Sequence, residues 1–356
     1  MSEVNLYRCT PRTMREFALD CFYAAVVPFI QGSPGIGKSE IVQSIADELN
    51  LFLLDHRLST SSPEDMSGLP RFDADGYAYF APFADLFPLA GRELPKKYDA
   101  DGKVIGTYDG WLLFLDEFNS APKSVQAAAY KLILDRKVGQ HDLHENVIVG
   151  CAGNLATDRA ITNPLSTAMQ SRVIHIEMQC NHEEWLMDVA LKRNYDNRII
   201  AYLSQYPDRL MDFNPAHSEK TFCCPRTWDF MNRLIQGKEV LDRKAPLYAG
   251  TITSGVAADF VQFCRVYDRM PKVEDIIASP ETHPVPADVS MRWAVVSALL
   301  QNVKEKNLDT IAKFVDRMDT SFRILFYRSV MVRNPELRHC NAYTSALVSL
   351  ARYLRS

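Results

Sequence analysis

The sequence predicts an α/β protein: a doubly wound parallel five-stranded sheet, then a small helical lid, then a C-terminal all-helical region. Three observations carry this expectation. Apolar runs without alternation, suited to strands buried on both faces, alternate with helix-like segments through the first half of the chain. A glycine-rich segment, Gly32-Ser33-Pro34-Gly35-Ile36-Gly37-Lys38-Ser39, follows the first of those runs and precedes a helix-like stretch. From His182 onward the pattern becomes helical throughout.

Each element has its own local reason. Thr10 is placed to cap a helix over residues 11–23, with Pro11 in the first helical position, where a missing N–H costs nothing. Residues 24–30 read as the first strand and 40–49 as the helix after the glycine loop. Residues 51–58 read as the second strand, 111–116 as the third, 146–152 as the fourth and 173–177 as a short fifth. A helix over 122–134 follows the third strand. Asp73-Ala74-Asp75-Gly76 is a turn sequence between strand-like arms 69–72 and 77–80. Residues 137–144 look like a second excursion, and 85–110 like a long surface loop. Helices are expected at 182–193, 198–205 and 225–235, with 244–250 as a connector. The remainder, 256–354, reads as helical, including 307–317 and 342–353, apart from a turn marked by Pro280, Pro284 and Pro286. The expected domains are 1–180, 181–245 and 246–356.

The glycine segment fits the pattern GxxxxGK[ST]. Glycines let backbone N–H groups turn inward on a phosphate, and the helix N-terminus adds partial positive charge. In strand–loop–helix context, Gly32, Ser33, Pro34, Gly35, Ile36 and Gly37 would cradle phosphates, Lys38 would reach the β- and γ-phosphates, and Ser39 would hold Mg²⁺. The run Trp111-Leu112-Leu113-Phe114-Leu115-Asp116-Glu117 ends in adjacent carboxylates, at the strand end where open α/β sheets place ligands. Asp116 can bind Mg²⁺ through water, and Glu117 can polarise the water that attacks the γ-phosphate. The plain alternative, an acidic cap on the next helix, does not account for the order of strand, carboxylates and phosphate loop. These residues imply ATP and Mg as cofactors and hydrolysis of the nucleotide.

Composition narrows the setting. The chain has 356 residues and a formal net charge of −4, which argues against a surface given over wholly to nucleic acid. No apolar run is long enough to span a membrane, and the first residues lack the charged and apolar regions of a signal peptide. Eight cysteines without metal spacing suit a reducing cytoplasm. Cys223-Cys224 reads as two packed thiols. His141 and His144, beside Asp142 and Glu145, read as a solvated hairpin tip rather than a metal site.

With these residues placed, the chain resembles the AAA+ ATPases over roughly residues 10–240, and within them the MoxR-like group, which includes the CbbQ-type activators. Three further matches carry the resemblance. Cys151-Ala152-Gly153-Asn154 is similar to sensor 1, which implies that Asn154 lies between the acidic strand and the γ-phosphate. The stretch from Asn163-Pro164-Leu165 to Gln170-Ser171-Arg172-Val173 resembles the segment ending in the arginine finger, which implies that role for Arg172, with Arg159 and Arg136 as rivals. Pro225-Arg226-Thr227 resembles sensor 2, which implies a lid role for Arg226. The first hairpin falls at the helix-2 insert and the second at the pre-sensor-1 hairpin.

The resemblance implies a homo-oligomeric ring, most often a hexamer, because the finger comes from the neighbouring subunit. It also implies remodelling of a protein partner, often one with a von Willebrand factor A domain. A DNA-directed motor or loader is the alternative, distinguished by ATPase stimulation by DNA with steep salt dependence. A nucleotide-controlled scaffold with slow or no hydrolysis is a third reading, against which Glu117 and Arg172 stand. In the C-terminal region, Leu308, Ile311, Ala312 and Val315 have the spacing of one buried helix face. The run Phe322-Arg323-Ile324-Leu325-Phe326-Tyr327-Arg328 reads as a core helix more readily than as a nucleic-acid groove.

Overall fold

The computed structural model describes residues 6–83, 85–158 and 163–351. It divides into two compact units, Met1–Cys180 and Asn181–Ser356. Among the described residues no helix is long and apolar enough to cross a membrane.

The first unit is built on a parallel sheet. Its elements run β1 (Arg8–Cys9), α1 (Pro11–Tyr23), β2 (Val27–Gln31), α2 (Lys38–Glu48), β3 (Leu51–Arg57), α3 (Pro63–Ser67), β4 (Leu69–Phe72), β5 (Ala78–Ala81), β6 (Lys96–Tyr98), β7 (Val104–Thr107), β8 (Gly110–Asp116), α4 (Lys123–Asp135), β9 (Lys137–Val138), β10 (His141–Asp142), β11 (Val147–Gly153), α5 (Thr167–Gln170) and β12 (Val173–Met178). The sheet order is β1-β12-β2-β11-β8-β3, with every pairing parallel. The sheet therefore has six strands rather than the expected five. The sixth, β1, is two residues long and lies on the edge, too short to leave an apolar run in the sequence.

Strand β8 shows why this sheet needs both faces covered. All seven of its residues are buried, and alternation sends Leu113 and Leu115 to one side and Phe114 and Asp116 to the other. Leu113 and Leu115 join Val149 and Cys151 in a core with Val125, Ala129 and Leu132 of α4. On the opposite face a Cβ on Gly150 would touch Phe22 of α1 and lie near Phe114, so glycine there lets α1 seat against the sheet. Thr10 caps α1 through its hydroxyl, with Pro11 at the start, as the sequence indicates.

The hairpin β4–β5 forms as expected, with Asp73 Oδ1 accepting from the N–H groups of Asp75 (3.0 Å) and Tyr77 (2.9 Å). Residues 85–110, expected as a surface loop, are not one. Phe87 is buried, Leu89 bridges Leu143, and β6 pairs with β7. Its turn, Asp99-Ala100-Asp101-Gly102, repeats the first hairpin's sequence and bonding: Asp99 Oδ1 accepts from Asp101 N (3.0 Å) and Lys103 N (2.8 Å). The excursion at 137–144 is the hairpin β9–β10. His141 is exposed on this hairpin, as expected, while bonding the Phe80 carbonyl (3.1 Å), whereas His144 is half-buried and packs on Trp111.

The second unit is helical: α6 (His182–Trp185), a π-helical turn at Leu186–Ala190, α7 (Asn197–Gln205), α8 (Pro225–Ile235), α9 (Ala245–Ile252), α10 (Ser254–Tyr267), α11 (Val273–Ala278), α12 (Val289–Asn302), α13 (Leu308–Val315), α14 (Thr320–Arg333) and α15 (Asn341–Ser349). The expected connector at 244–250 is instead helix α9. Its proline sits in the first turn, where it is tolerated, and Tyr248 and Ile252 are buried. Helix α7 packs along α12, α9 packs against α8 and α10, and α14 packs against α12. Tyr202, Trp228 and Phe260 form an aromatic centre. Leu308, Ile311, Ala312 and Val315 are buried on α13 as their spacing indicates. Phe322, Leu325, Phe326 and Tyr327 are likewise buried, which makes α14 a core helix.

Candidate functional site

Strand β2 ends at Gln31 and delivers the glycine loop to the carboxyl end of the sheet. Gly32 is packed tightly: its N–H donates to the Gly153 carbonyl (3.3 Å), and a Cβ there would lie 2.8 Å from the Met178 carbonyl oxygen. Gly35 (φ 77°) and Gly37 (φ 98°) occupy the left-handed region, which a side chain would strain. Helix α2 opens at Lys38 directly after Gly37, so the free N–H groups and positive dipole end of that helix stand at the loop. Lys38 is only 9% exposed, and its Nζ donates to the carbonyls of Gly32 (2.7 Å) and Ser33 (3.1 Å).

Ser39 and Asp116 meet across the sheet and helix. Ser39 Oγ donates to Asp116 Oδ2 at 3.0 Å, which brings together the two oxygen groups that the sequence assigns to magnesium. Glu117 follows in the left-handed region (φ 54°), and its N–H donates to Asp116 Oδ1 (2.7 Å). That turn takes the Glu117 side chain out of the line of the strand. Its Oε2 accepts a hydrogen bond from Ser59 Oγ, in the short turn after β3. On β3, Asp55 is held above its ordinary carboxyl range, first by desolvation and then by the Asp116 charge, with Arg57 opposing.

Asn154 stands just past the end of β11, and its neighbour Asn119 organises the region. Asn119 Oδ1 accepts from the Asn154 N–H (3.0 Å), and its Nδ2 donates to the Asn154 carbonyl (2.7 Å). The Asn119 carbonyl accepts from the Asn163 N–H (2.6 Å), and Asn163 Nδ2 donates to the Ala121 carbonyl (2.8 Å). A Cβ on Gly153 would lie 2.3 Å from Asn119 Oδ1, so this approach needs glycine. Sequence reading singled out neither Asn119 nor Ser59. Asn119, two residues past Glu117 and just ahead of the helix expected at 122–134, is a polar residue that the motif itself could have flagged. Ser59 left no pattern.

The arginines separate. Arg172 is exposed at the start of β12, where its guanidinium donates to the Ala168 carbonyl (2.7 Å) and lies over the Tyr130 ring (5.3 Å). Its neighbour Val173 pairs with Val27, whereas the glycine loop begins past Gln31, at the other end of β2. Five residues of strand put about 16 Å between them, so Arg172 is not brought to the phosphate loop of its own chain. Arg136 caps α4 in the left-handed region and donates to the Val147 carbonyl (2.6 Å), a structural engagement. Arg159 lies outside the described residues. Arg226 is exposed in the first turn of α8, behind Pro225, in the second unit.

The donor set fits a magnesium nucleotide. A buried ammonium and a helix N-terminus suit phosphate oxygens, and a hydroxyl beside a carboxylate suits a hard cation that keeps several waters. Bound there, Mg²⁺ would neutralise charge on the phosphates. Among the described residues no cluster of three or more His, Cys, Asp or Glu could hold a metal by itself.

Residues 28–193, a little under half the chain, match the family model of the AAA domain, dynein-related subfamily. No curated protein matches the chain. Among solved structures, a Cytophaga hutchinsonii protein provisionally assigned as an ATPase is 13% identical, with 98% of this chain and 90% of that chain covered and a TM-score of 0.36. The Thermotoga maritima RuvB Holliday junction branch migration motor is 16% identical, with 86% of each chain covered and a TM-score of 0.36. The matched stretch includes the glycine loop and the acidic pair Asp116 and Glu117.

Proposed function

We propose that the protein is an ATP-hydrolysing AAA+ machine of the MoxR-like type, assembled as a homo-oligomeric ring and directed at a protein partner in the cytoplasm; the net charge of −4 speaks against nucleic acid as the main partner. The observation that carries the reading is the Ser39–Asp116 hydrogen bond, with Lys38 and Glu117 beside it at one end of the sheet. In this reading Lys38 binds the β- and γ-phosphates, Ser39 and Asp116 hold the magnesium, and Glu117 takes the proton of the attacking water. Asn154, fixed by Asn119, orients that water. The position of Arg172, remote from its own glycine loop, supports action on a neighbouring subunit's nucleotide, and the ring follows from that. Arg226 reports nucleotide state to a lid at 181–245, with 246–356 as a C-terminal domain.

The hairpin β4–β5 is the proposed contact with the partner. Phe72 and Tyr77 are each 74% exposed beside its turn, far more aromatic surface than a monomer needs there. A von Willebrand factor A domain is the partner class we infer. The test is to shorten residues 69–80 and measure ATP hydrolysis alongside remodelling of such a domain. Retained hydrolysis with lost remodelling supports the reading. Remodelling by the hairpin-less variant sinks the hairpin's role, and a catalytic monomer in mass measurement sinks the ring.

A further inference from the structure

Arg172 is held at both ends of its side chain. At the base, the Arg172 N–H donates to the Met169 carbonyl (3.0 Å) as α5 ends. Met169 and Val173, on either side of this turn, are 3% and 6% exposed and belong to the core shared by the sheet and α4. At the tip, Nη1 donates to the Ala168 carbonyl (2.7 Å) and to the Ser171 hydroxyl (3.3 Å). The Ser171 hydroxyl donates its own proton to the same carbonyl (3.1 Å), so it can only accept from the arginine.

Tyr130 supplies a further restraint. It stands on α4, partly buried and packed against that core, with the Arg172 guanidinium carbon 5.3 Å from its ring centre. A cation over an aromatic face is attracted by the ring quadrupole, and a guanidinium also stacks its plane there. The contact is therefore to the ring, while the hydrogen bonds of Nη1 go elsewhere. A guanidinium has five N–H donors. Both hydrogens of Nη1 are engaged, which leaves Nε and Nη2, one edge of the fork, for another group. That edge has the spacing to meet two oxygens of one phosphate.

We propose that Tyr130 is a positioning residue, whose ring holds the Arg172 guanidinium so that the Nε–Nη2 edge is presented to the γ-phosphate of a nucleotide in the neighbouring subunit. The inference rests on the shared-site reading above. A free arginine has rotamer freedom that it loses on engaging a phosphate. Restraints already fixed in the folded subunit remove part of that loss beforehand. Tyr130 itself does not touch the nucleotide. Its removal should therefore slow hydrolysis and leave ATP binding at the glycine loop of its own chain unchanged.

The experiment uses the full chain. Tyr130→Leu removes the ring but keeps apolar bulk against the core, and Tyr130→Met gives the same readout if Tyr130→Leu does not fold. Hydrolysis at saturating ATP and Mg²⁺ should fall about three- to thirtyfold in Tyr130→Leu with KM unchanged, and Tyr130→Phe should restore most of the rate. Mixed assemblies give a readout that a merely structural lesion would not move. Glu117→Gln subunits lack the proposed base but keep Arg172 and Tyr130. Added in excess, they should return the rate per Tyr130→Leu subunit towards wild type, because the defect lies in the arginine each subunit presents to its neighbour. Arg172→Ala, measured in parallel, separates two failures. If Arg172→Ala collapses and Tyr130→Leu does not, the role of Tyr130 falls alone. If Arg172→Ala hydrolyses ATP at the wild-type rate, the shared-site reading falls and this inference with it. A raised KM, a Tyr130→Phe no faster than Tyr130→Leu, or no recovery in mixed assemblies also overturns it.

Discussion

Ser59 Oγ donates to Glu117 Oε2, so the carboxylate proposed to activate water is held by a hydroxyl from the turn after β3. That turn is continuous with α3 and then the hairpin β4–β5. A hydrogen bond to a charged group is worth about 1.5–3 kcal/mol. While it persists, it ties up one acceptor position on Oε2 and stabilises the charged carboxylate, which makes it a weaker base. Ser59→Ala should therefore raise basal ATP hydrolysis, by up to about tenfold. Steady-state hydrolysis without partner measures this directly. A fall in rate would mean that Ser59 aims Glu117 rather than restrains it.

Replacing Glu117 itself should separate binding from chemistry. Glu117→Gln keeps the shape but removes the base, so hydrolysis should drop about 10²–10⁴-fold while ATP still binds. Lys38→Ala should lose binding, because a buried ammonium disappears from the loop. Fluorescent nucleotide titration with single-turnover hydrolysis distinguishes the two. Unchanged hydrolysis in Glu117→Gln would remove it from the chemistry.

Arg172 and Arg136 should respond differently because their surroundings differ. Arg172 is exposed, and its removal should leave stability nearly unchanged while lowering hydrolysis about 10³–10⁵-fold, if it acts across subunits. Wild-type specific activity should then rise with protein concentration. Arg136 donates to the Val147 carbonyl at the start of β11, so Arg136→Ala should lower stability by about 1–3 kcal/mol with a smaller effect on rate. Activity flat with concentration and indifferent to Arg172 would refute the shared site.

Much of this architecture was legible because it is local. The cap at Thr10, the strand ending in Asp116 and the turn after Phe72 are all written in adjacent residues. The repeat of Asp-Ala-Asp-Gly at 99–102 was equally visible, but its short arms, Lys96–Tyr98 and Val104–Thr107, lack an apolar face. Helix α9 was hidden by Pro246 and Gly250, whose punctuation is overridden by burial of Tyr248 and Ile252. At the site, Lys38, Ser39 and Asp116 follow from a motif. Ser59 and Asn119 act through contacts 58 and 35 residues away in sequence, which only the fold creates.

The Asn119 contact gives a prediction of its own. Gly153→Ala would push a methyl group to 2.3 Å from Asn119 Oδ1 and 2.9 Å from the Phe29 ring. Neither neighbour can retreat freely, since Asn119 is 5% exposed and Phe29 1%. Stability should fall by about 1–3 kcal/mol, as for overpacking, and hydrolysis should fall with the loss of Asn154's support. Urea denaturation and the hydrolysis rate of the folded variant measure the two effects. A variant with wild-type stability and rate would show that Asn154 is not held by this contact.

Alkaline pH should unfold the helical unit sooner than its salt bridges suggest. Burial, and next the Asp212 charge, pushes the Cys223 thiol from 9.0 to about 12, and burial pushes Tyr267 from 10.0 to about 12. Both groups are neutral when protonated, so the unfolded chain loses these protons first as pH rises. Between about pH 9 and 12 the unfolded state therefore binds fewer protons than the native state, and stability must fall with pH. Each unit of separation is worth about 1.4 kcal/mol, so Cys223 alone should remove roughly that much by pH 10. Cys223 Sγ donates to the Ile252 carbonyl at 2.8 Å, which keeps the thiol protonated in the native state. Urea midpoints at pH 8 and pH 10 should differ in the wild type and differ less in Cys223→Ala. Equal pH dependence in the two proteins would show that Cys223 does not stay neutral on folding.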